Sequence, residues 1–267
     1  MYDVGLKLQH AQKQASRLSC ATNVSELRST EARVALAYWS VFQSILPESL
    51  GFRGRLNQTS HQYDAADPFN ASLNFGYAML ESECRKSVNA IGLEPAIGFL
   101  HPIADYQVKE GLVFDTMEPF RSLVDMTALE AFECGLLELK DFFFTGNDFS
   151  YRFEPDAKRR FVEAIRRRFN SGVKYRGRQW RWDTIIQRKT QELAQFLMKK
   201  SSTLDFTEPT PSLERRNDSE LRAKILSMSA SQARQLGIGK STLHYLRSNA
   251  RGDRPFRICR KVIKRLG

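Results

Sequence analysis

No stretch of this chain approaches the ~18 consecutive apolar residues that a membrane-spanning helix needs, and its first residues lack the apolar core of a secretion signal. No membrane partner is expected. Cysteine is scarce and scattered: Cys20, Cys84, Cys134 and Cys259 form no CxxC pair. That argues against a zinc cage or a disulfide framework and for a reducing, cytoplasmic setting. Only four histidines occur (His10, His61, His101 and His244), so imidazole chemistry has few possible sources. Strand-like alternation is missing before residue 140, there is no internal repeat, and no Ser or Tyr sits where it would be activated as a nucleophile. What remains is a mainly α chain of 267 residues, 42% hydrophobic and 27% charged, long enough to bury one large core or two.

Positive charge is unevenly placed within the net +11. Residues 1–150 hold 12 Lys/Arg against 19 Asp/Glu, residues 151–200 hold 15 against 5, and residues 201–267 hold 14 against 6. An acidic half beside a strongly basic half suits a chain in which carboxylates bind a metal and a basic surface brings up a polyanion.

Residues 6–46 read as two helices, with Ser25 as a cap of the second and Leu36, Trp39, Ile45 and Leu46 in the core. After a loop, Asp67 caps a helix that opens at Pro68. Leu73, Tyr77, Leu80, Cys84, Val88 and Ile91 recur there at steps of three and four and define its buried stripe. Glu83 lies beside that stripe, near the small residues Gly76 and Ser87, which leave room around a carboxylate; Gly92 stops the helix. LEPAIGFLH is then a short extended segment, and a further helix carries Asp115 and Glu118 on one face, bent at Pro119. DFFFTGNDFSYRF reads as a β-hairpin around Gly146-Asn147, followed by helices over PDAKRRFVEAIRRRF and WRWDTIIQRKTQELAQFLMKK.

Between those two helices, VKYRGRQWRW interleaves Arg176, Arg178 and Arg181 with Tyr175, Trp180 and Trp182. Arginine neutralises phosphate and aromatics stack on exposed bases, though two Trp also serve to anchor a helix in a core. Residues 201–218 are polar and read as a linker, which bounds a domain over 1–200 and another over 219–267. The latter has helix-turn-helix spacing: Ala233 as the small residue, Gly237 at the turn, and GKSTLHYLRS as a recognition helix presenting Lys240, Ser241, Thr242, His244 and Arg247, with the basic tail RPFRICRKVIKRL beyond.

The stretch from Asn70 to Asp125 gathers the candidate chemistry. Glu83, His101, Asp115 and Glu118 supply carboxylates and an imidazole, the donor types that suit Mg²⁺ or Mn²⁺. Periodicity alone would equally allow a structural histidine and surface ion pairs.

LNFGYAMLESECRKSVNAIGLEPAIGFLH and LVFDTMEPFR resemble the defining motifs of the CRISPR adaptation integrase, the CRISPR-associated endonuclease that inserts spacers. The resemblance runs over about residues 26–200 and includes EARVALAYWSVF, FRGR, DPFNA and LKDFFFTGNDFSYRFEPDAKRRF. It implies that Glu83, His101 and Glu118 bind Mn²⁺ or Mg²⁺, that Asp115 assists as ligand or support, and that Arg121 orients a carboxylate or contacts phosphate. It further implies cleavage and joining of double-stranded or branched DNA, with a DNA 3′-hydroxyl or water as nucleophile, a homodimer, and a small ferredoxin-like adaptation subunit as partner.

The chain also departs from that pattern. The family's N-terminal β-rich domain has no counterpart in the strand-poor opening, so that domain is expected to be missing or on another polypeptide. The C-terminal helix-turn-helix resembles an appendage of casposases, transposon-encoded relatives with the same chemistry, and of some archaeal-type members of the CRISPR family. A non-catalytic DNA-binding fragment is the reading from a different class.

Overall fold

Apolar residues at steps of three and four make helices the dominant element of the computed structural model, which describes residues 2–16, 22–55, 65–101, 110–146, 150–205, 209, 211 and 218–251. The helices are α1 (Tyr2–Ala15), α2 (Val24–Ile45), α3 (Pro68–Ile91), α4 (Gly111–Met117), α5 (Arg121–Glu133), α6 (Pro155–Asn170), α7 (Trp182–Leu197), α8 (Asp218–Ser227), α9 (Ala230–Gln235) and α10 (Lys240–Arg251). Two antiparallel hairpins interrupt them: β1 (Phe142–Thr145) with β2 (Ser150–Phe153), and β3 (Gly172–Tyr175) with β4 (Arg178–Arg181). Among the described residues no helix is long and apolar enough to cross a membrane.

The chain forms two compact units, Met1–Asn74 with Leu139–Glu154, and Phe75–Glu138 with Pro155–Gly267; α3 runs from the first into the second. In the first unit α1 packs on α2, and Lys7 donates to Ser44 at 2.8 Å. Phe42, Phe52 and Phe69 form its buried centre, with ring centroids 4.9–6.0 Å apart, and Trp39 rests against Phe42 and Phe52. Leu46 is buried as expected, but Leu36 is 71% exposed: Ala37 and Phe42 turn inward, so the core face of α2 is rotated away from Leu36. The cap of α2 is Asn23, which accepts the Glu26 N–H, and Ser25 lies inside the helix. Asp67 does cap α3, accepting the Asn70 N–H at 2.8 Å; its burial pushes the carboxyl upward against the Asn70 hydrogen bonds. The β1–β2 hairpin registers Phe142 opposite Phe153, and Tyr151 donates its N–H to the Ala65 carbonyl at 2.8 Å.

In the second unit Leu80, Cys84 and Val88 of α3 are fully buried, and that burial raises the Cys84 thiol pKa. Gly76 leaves no room beside Glu83. A Cβ there would lie 2.5 Å from Val124 Cγ1, so the glycine permits α3 to approach α5 closely. Ser87 likewise serves packing, donating to Thr190 of α7 at 3.1 Å. Gly92 ends α3 at φ +81°, as its position implied. Turns at Gly92 and Pro95–Ala96 and a bend over Phe99–His101 break up the expected extended segment, which forms no strand. A 3₁₀ turn at Glu118–Phe120 separates α4 from α5, which is the local break that Pro119 dictates. Buried Arg168 of α6 donates to Thr127 at 3.1 Å and pairs with Glu130 at 2.5 Å, tying α6 to α5.

The segment 173–182 is not a loop of exposed aromatics. It builds the β3–β4 hairpin, whose turn residues Arg176 and Gly177 take φ +47° and +79°. Within the expected linker, residues 206–208, 210 and 212–217 lie outside the described residues, as do Asn147 of the first hairpin turn and the basic tail 254–266. Asp205, by contrast, is held: its carboxylate by Arg176 and its carbonyl by the buried amine of Lys189. Helices α8, α9 and α10 enclose a small core of their own from Ile225, Met228, Ala233, Ile238, Leu243, Leu246 and Ala250. A Ser229–Gln232 capping box starts α9, and Gly237 at φ +68° makes the turn into α10.

Candidate functional site

Asp115 organises the first cluster. Lying on α4 and mostly buried, it places Oδ1 2.7 Å from His101 Nδ1 and accepts the N–H groups of Phe99 and, at 3.1 Å, Leu100 on Oδ2. The loop is fixed a second time by glycine. A Cβ on Gly111 would stand 2.0 Å from the His101 carbonyl oxygen, and one on Gly98 would stand 2.6 Å from Gly111 C. Only two bare backbones can pass that closely.

Glu118 follows one helical turn after Asp115, as the i,i+3 spacing predicts. Its Oε1 is 4.0 Å from His101 Nε2 and 2.8 Å from Arg121 Nη2. The Arg121 guanidinium lies over the Tyr77 ring at 5.4 Å, and the Tyr77 hydroxyl donates to buried Asp125 at 2.5 Å. Arg121 Nε is buried and has no hydrogen-bond partner among the described residues. Tyr77 and Asp125 carried no functional signal in the sequence; Tyr77 read only as one member of a core stripe.

A divalent ion fits part of this arrangement. A proton on Nδ1 shared with Asp115 leaves Nε2 with its lone pair, the orientation that a carboxylate partner imposes on a metal-ligating imidazole. Nε2 and Glu118 Oε1, 4.0 Å apart, could both reach one ion at ordinary ligand distances of about 2.0–2.2 Å. Asp115 is less suited as a ligand because both its oxygens already accept hydrogen bonds. The third expected ligand is not gathered in: among the described residues no three His, Cys, Asp or Glu side chains are placed to hold an ion.

Glu83 instead pairs with Lys86 at 3.1 Å and lines a cleft of about 290 Å³. Lys86 and Ser87 share its α3 wall, with Arg181, Asp183, Thr184 and Gln187 opposite. Arg85, the next residue but one, turns to the other side. Its Nε donates to both oxygens of Glu110 at 3.0 and 2.8 Å, bracing α3 against the start of α4 and holding the Glu110 carboxyl below the usual range. That brace was not foreseen, since the two residues are 25 apart in sequence.

The expected DNA contacts divide into exposed and committed groups. Arg178 is exposed on β4, and Arg181 is exposed while bonded to Asp183 and Asn170. Arg176 is committed to Glu192 at 2.7 Å and Asp205 at 2.9 Å. Trp182 is buried and serves the local packing, and half-buried Trp180 carries the Arg188 guanidinium over one face of its ring at 4.1 Å. On α10, Lys240, Ser241, Thr242 and His244 are exposed, whereas Arg247 donates to the Met228 carbonyl at 2.5 Å and helps close the small core.

Comparison with known proteins places these observations in a family. The model of the family described as CRISPR associated protein Cas1 matches residues 2–167. The curated CRISPR-associated endonuclease Cas1 1 of Saccharolobus solfataricus is 40% identical over 121 residues, which cover 45% of this chain and 33% of that protein. The CRISPR-associated endonuclease Cas1 1 of Archaeoglobus fulgidus is 31% identical over 170 residues, covering 62% of this chain and 48% of that protein. These matches thus span a third to a half of the curated relatives' length. Among solved structures, a casposase bound to integration product is 33% identical with a TM-score of 0.68, covering 75% of this chain and 58% of that chain.

Proposed function

The chain belongs to the CRISPR associated protein Cas1 family, and from that premise we propose that it is a metal-dependent DNA endonuclease and integrase that joins DNA 3′-hydroxyl ends to a target strand by transesterification. The observation that carries this reading is the His101 cluster: one imidazole nitrogen fixed by Asp115, the other facing Glu118, and Arg121 gripping Glu118. His101 and Glu118 would hold Mg²⁺ or Mn²⁺, with Glu83 as third ligand after it leaves its exposed ion pair with Lys86, a pair worth about 1 kcal/mol or less. The ion would supply Lewis-acid activation of the scissile phosphate.

The protein's own groups do the rest. Asp115 keeps the His101 ring from rotating and, in the neutral imidazole, holds the ring proton on Nδ1 so that the Nε2 lone pair faces Glu118. Arg121, stacked on Tyr77, holds Glu118 in place and lies close enough to add positive charge beside a phosphodiester. Lys86, released from Glu83, is a phosphate contact at the mouth of the cleft. Double-stranded or branched DNA is the substrate, reached through Arg178, Arg181 and the exposed face of α10.

A casposase-like role at transposon ends is the second reading, favoured by the 33% identity and 75% coverage shared with the casposase structure. Terminal inverted repeats next to the coding sequence, as opposed to a repeat array with a small ferredoxin-like adaptation subunit, would separate the two. The chemistry is tested by incubating purified protein with a 3′-hydroxyl duplex and a supercoiled target, in Mn²⁺ or EDTA. Joined product that needs Mn²⁺ and disappears in His101→Ala and Glu83→Ala, with DNA affinity unchanged, is expected. Equal loss of binding in these variants would count against a catalytic role, and binding with no metal-dependent product would leave a DNA-binding fragment.

A further inference from the structure

Beside His101 the loop displays an anomaly that the proposed chemistry does not use. Ile97, Phe99 and Leu100 are 58%, 59% and 39% exposed, three large apolar side chains in succession around Gly98. Exposed apolar groups are ordinary when they stand singly; a group of them beside a catalytic histidine asks for an occupant. The backbone that carries them is rigid. Phe99 and Leu100 both donate their N–H groups to Asp115, and Gly98 is wedged against Gly111. The carboxylate that fixes His101 therefore also fixes the position of Phe99.

We propose that Phe99 is a stacking platform for the nucleobase flanking the phosphodiester that reacts at His101. The inference rests on the DNA-joining reading and names how that strand is held. Two residues of chain span at most about 7 Å, so a phosphate at His101 leaves its own base within reach of the Phe99 ring. The loop's apolar side chains suit a base face better than a phosphate, whose partners are the cations Arg121 and Lys86 on neighbouring elements. With the backbone fixed, only the two torsions of the Phe99 side chain remain to be ordered when the base arrives, and stacking tolerates any base, as an enzyme joining varied DNA ends requires.

The test places 2-aminopurine at the terminal nucleotide of the 3′-hydroxyl strand and follows its fluorescence on binding to the full chain without divalent metal. Quenching is expected with wild-type protein and with His101→Ala. It should vanish in Phe99→Ala and return in Phe99→Trp. In Mn²⁺, Phe99→Ala should raise KM for that strand by about 5- to 100-fold with a smaller change in kcat. Unchanged quenching and KM in Phe99→Ala would overturn the proposal, and so would a shift only in self-association, which would make the patch a protein contact. Failure of the catalytic reading shows separately, as wild-type joining by His101→Ala.

Discussion

At Asp115 a single carboxylate accepts hydrogen from an imidazole and two backbone amides, so its loss affects the ligand and the loop together. Asp115→Asn keeps the shape but reverses one partner: with its oxygen still accepting the two loop N–H groups, its amide N–H would face His101 Nδ1 and move the ring proton to Nε2. Metal affinity, read by Mn²⁺ titration, and joining rate should each fall by about 10–100-fold, with DNA affinity unchanged. An Asp115→Asn protein with wild-type Mn²⁺ affinity would show that His101 needs no orienting partner. Gly111→Ala should be more disruptive, because its Cβ would meet backbone and not a flexible side chain that could move aside. At this scale much could be read in the sequence. His101 before Pro102, and Asp115 three residues ahead of Glu118, marked the cluster. The roles of Gly98, Gly111 and Tyr77 could not be read, because each depends on contacts across 10 to 50 residues that no local pattern encodes.

Between elements, the brace from Arg85 on α3 to Glu110 at the head of α4 links the helix of Glu83 to the helix of Asp115. Arg85 holds the Glu110 carboxyl below its ordinary value of 4.5. A lowered carboxylate adds stability that is present above that value and lost as pH falls through the folded-state pKa. Glu110→Gln should therefore cost about 0.5–1 kcal/mol at pH 7, a small figure for a pair one-third exposed, and the gap from wild type should close in urea melts below pH 4. A constant gap across that range would assign the cost to packing. Arg168→Ala is a harsher case: it removes a buried guanidinium that bonds both Glu130 and Thr127 and should cost about 3 kcal/mol or more by the same melts. Helices with a long apolar stripe, α3 and α6 above all, were legible because burial imposes their period. The β3–β4 hairpin was not. Its strands are four residues each, strongly charged and half exposed, and the turn rests on Arg176 in a conformation that glycine usually supplies. Leu36 misled for a related reason, since a helix with several apolar flanks does not declare which one faces inward.

Across the whole chain, the acidic first 150 residues carry the proposed metal ligands and the basic remainder carries most of the proposed DNA contacts. The separation was plain in the sequence, whereas the committed cations were not. Arg176 and Arg247 read as DNA-binding charge but close ion pairs or hold a carbonyl in the fold. Exposed Lys240, Ser241, Thr242, His244, Ser248 and Arg251 are left as the outward face of α10. Two kinds of variant then separate folding from binding. Arg247→Ala should loosen the small core around Met228 and broaden the melting of α8–α10 before it alters DNA binding. Lys240→Gln with Arg251→Gln should leave the melting curve in place and weaken DNA binding uniformly across sequences. Every phosphate deprived of its cation reduces the slope of log affinity against log salt by about 0.9, so the double variant should flatten that slope by nearly two. Removing residues 219–267 should flatten it at least as far while Mn²⁺ affinity at His101 persists. A salt slope unmoved by that removal would mean that the basic tail and α10 do not touch DNA, and that the cations contacting it lie before residue 219.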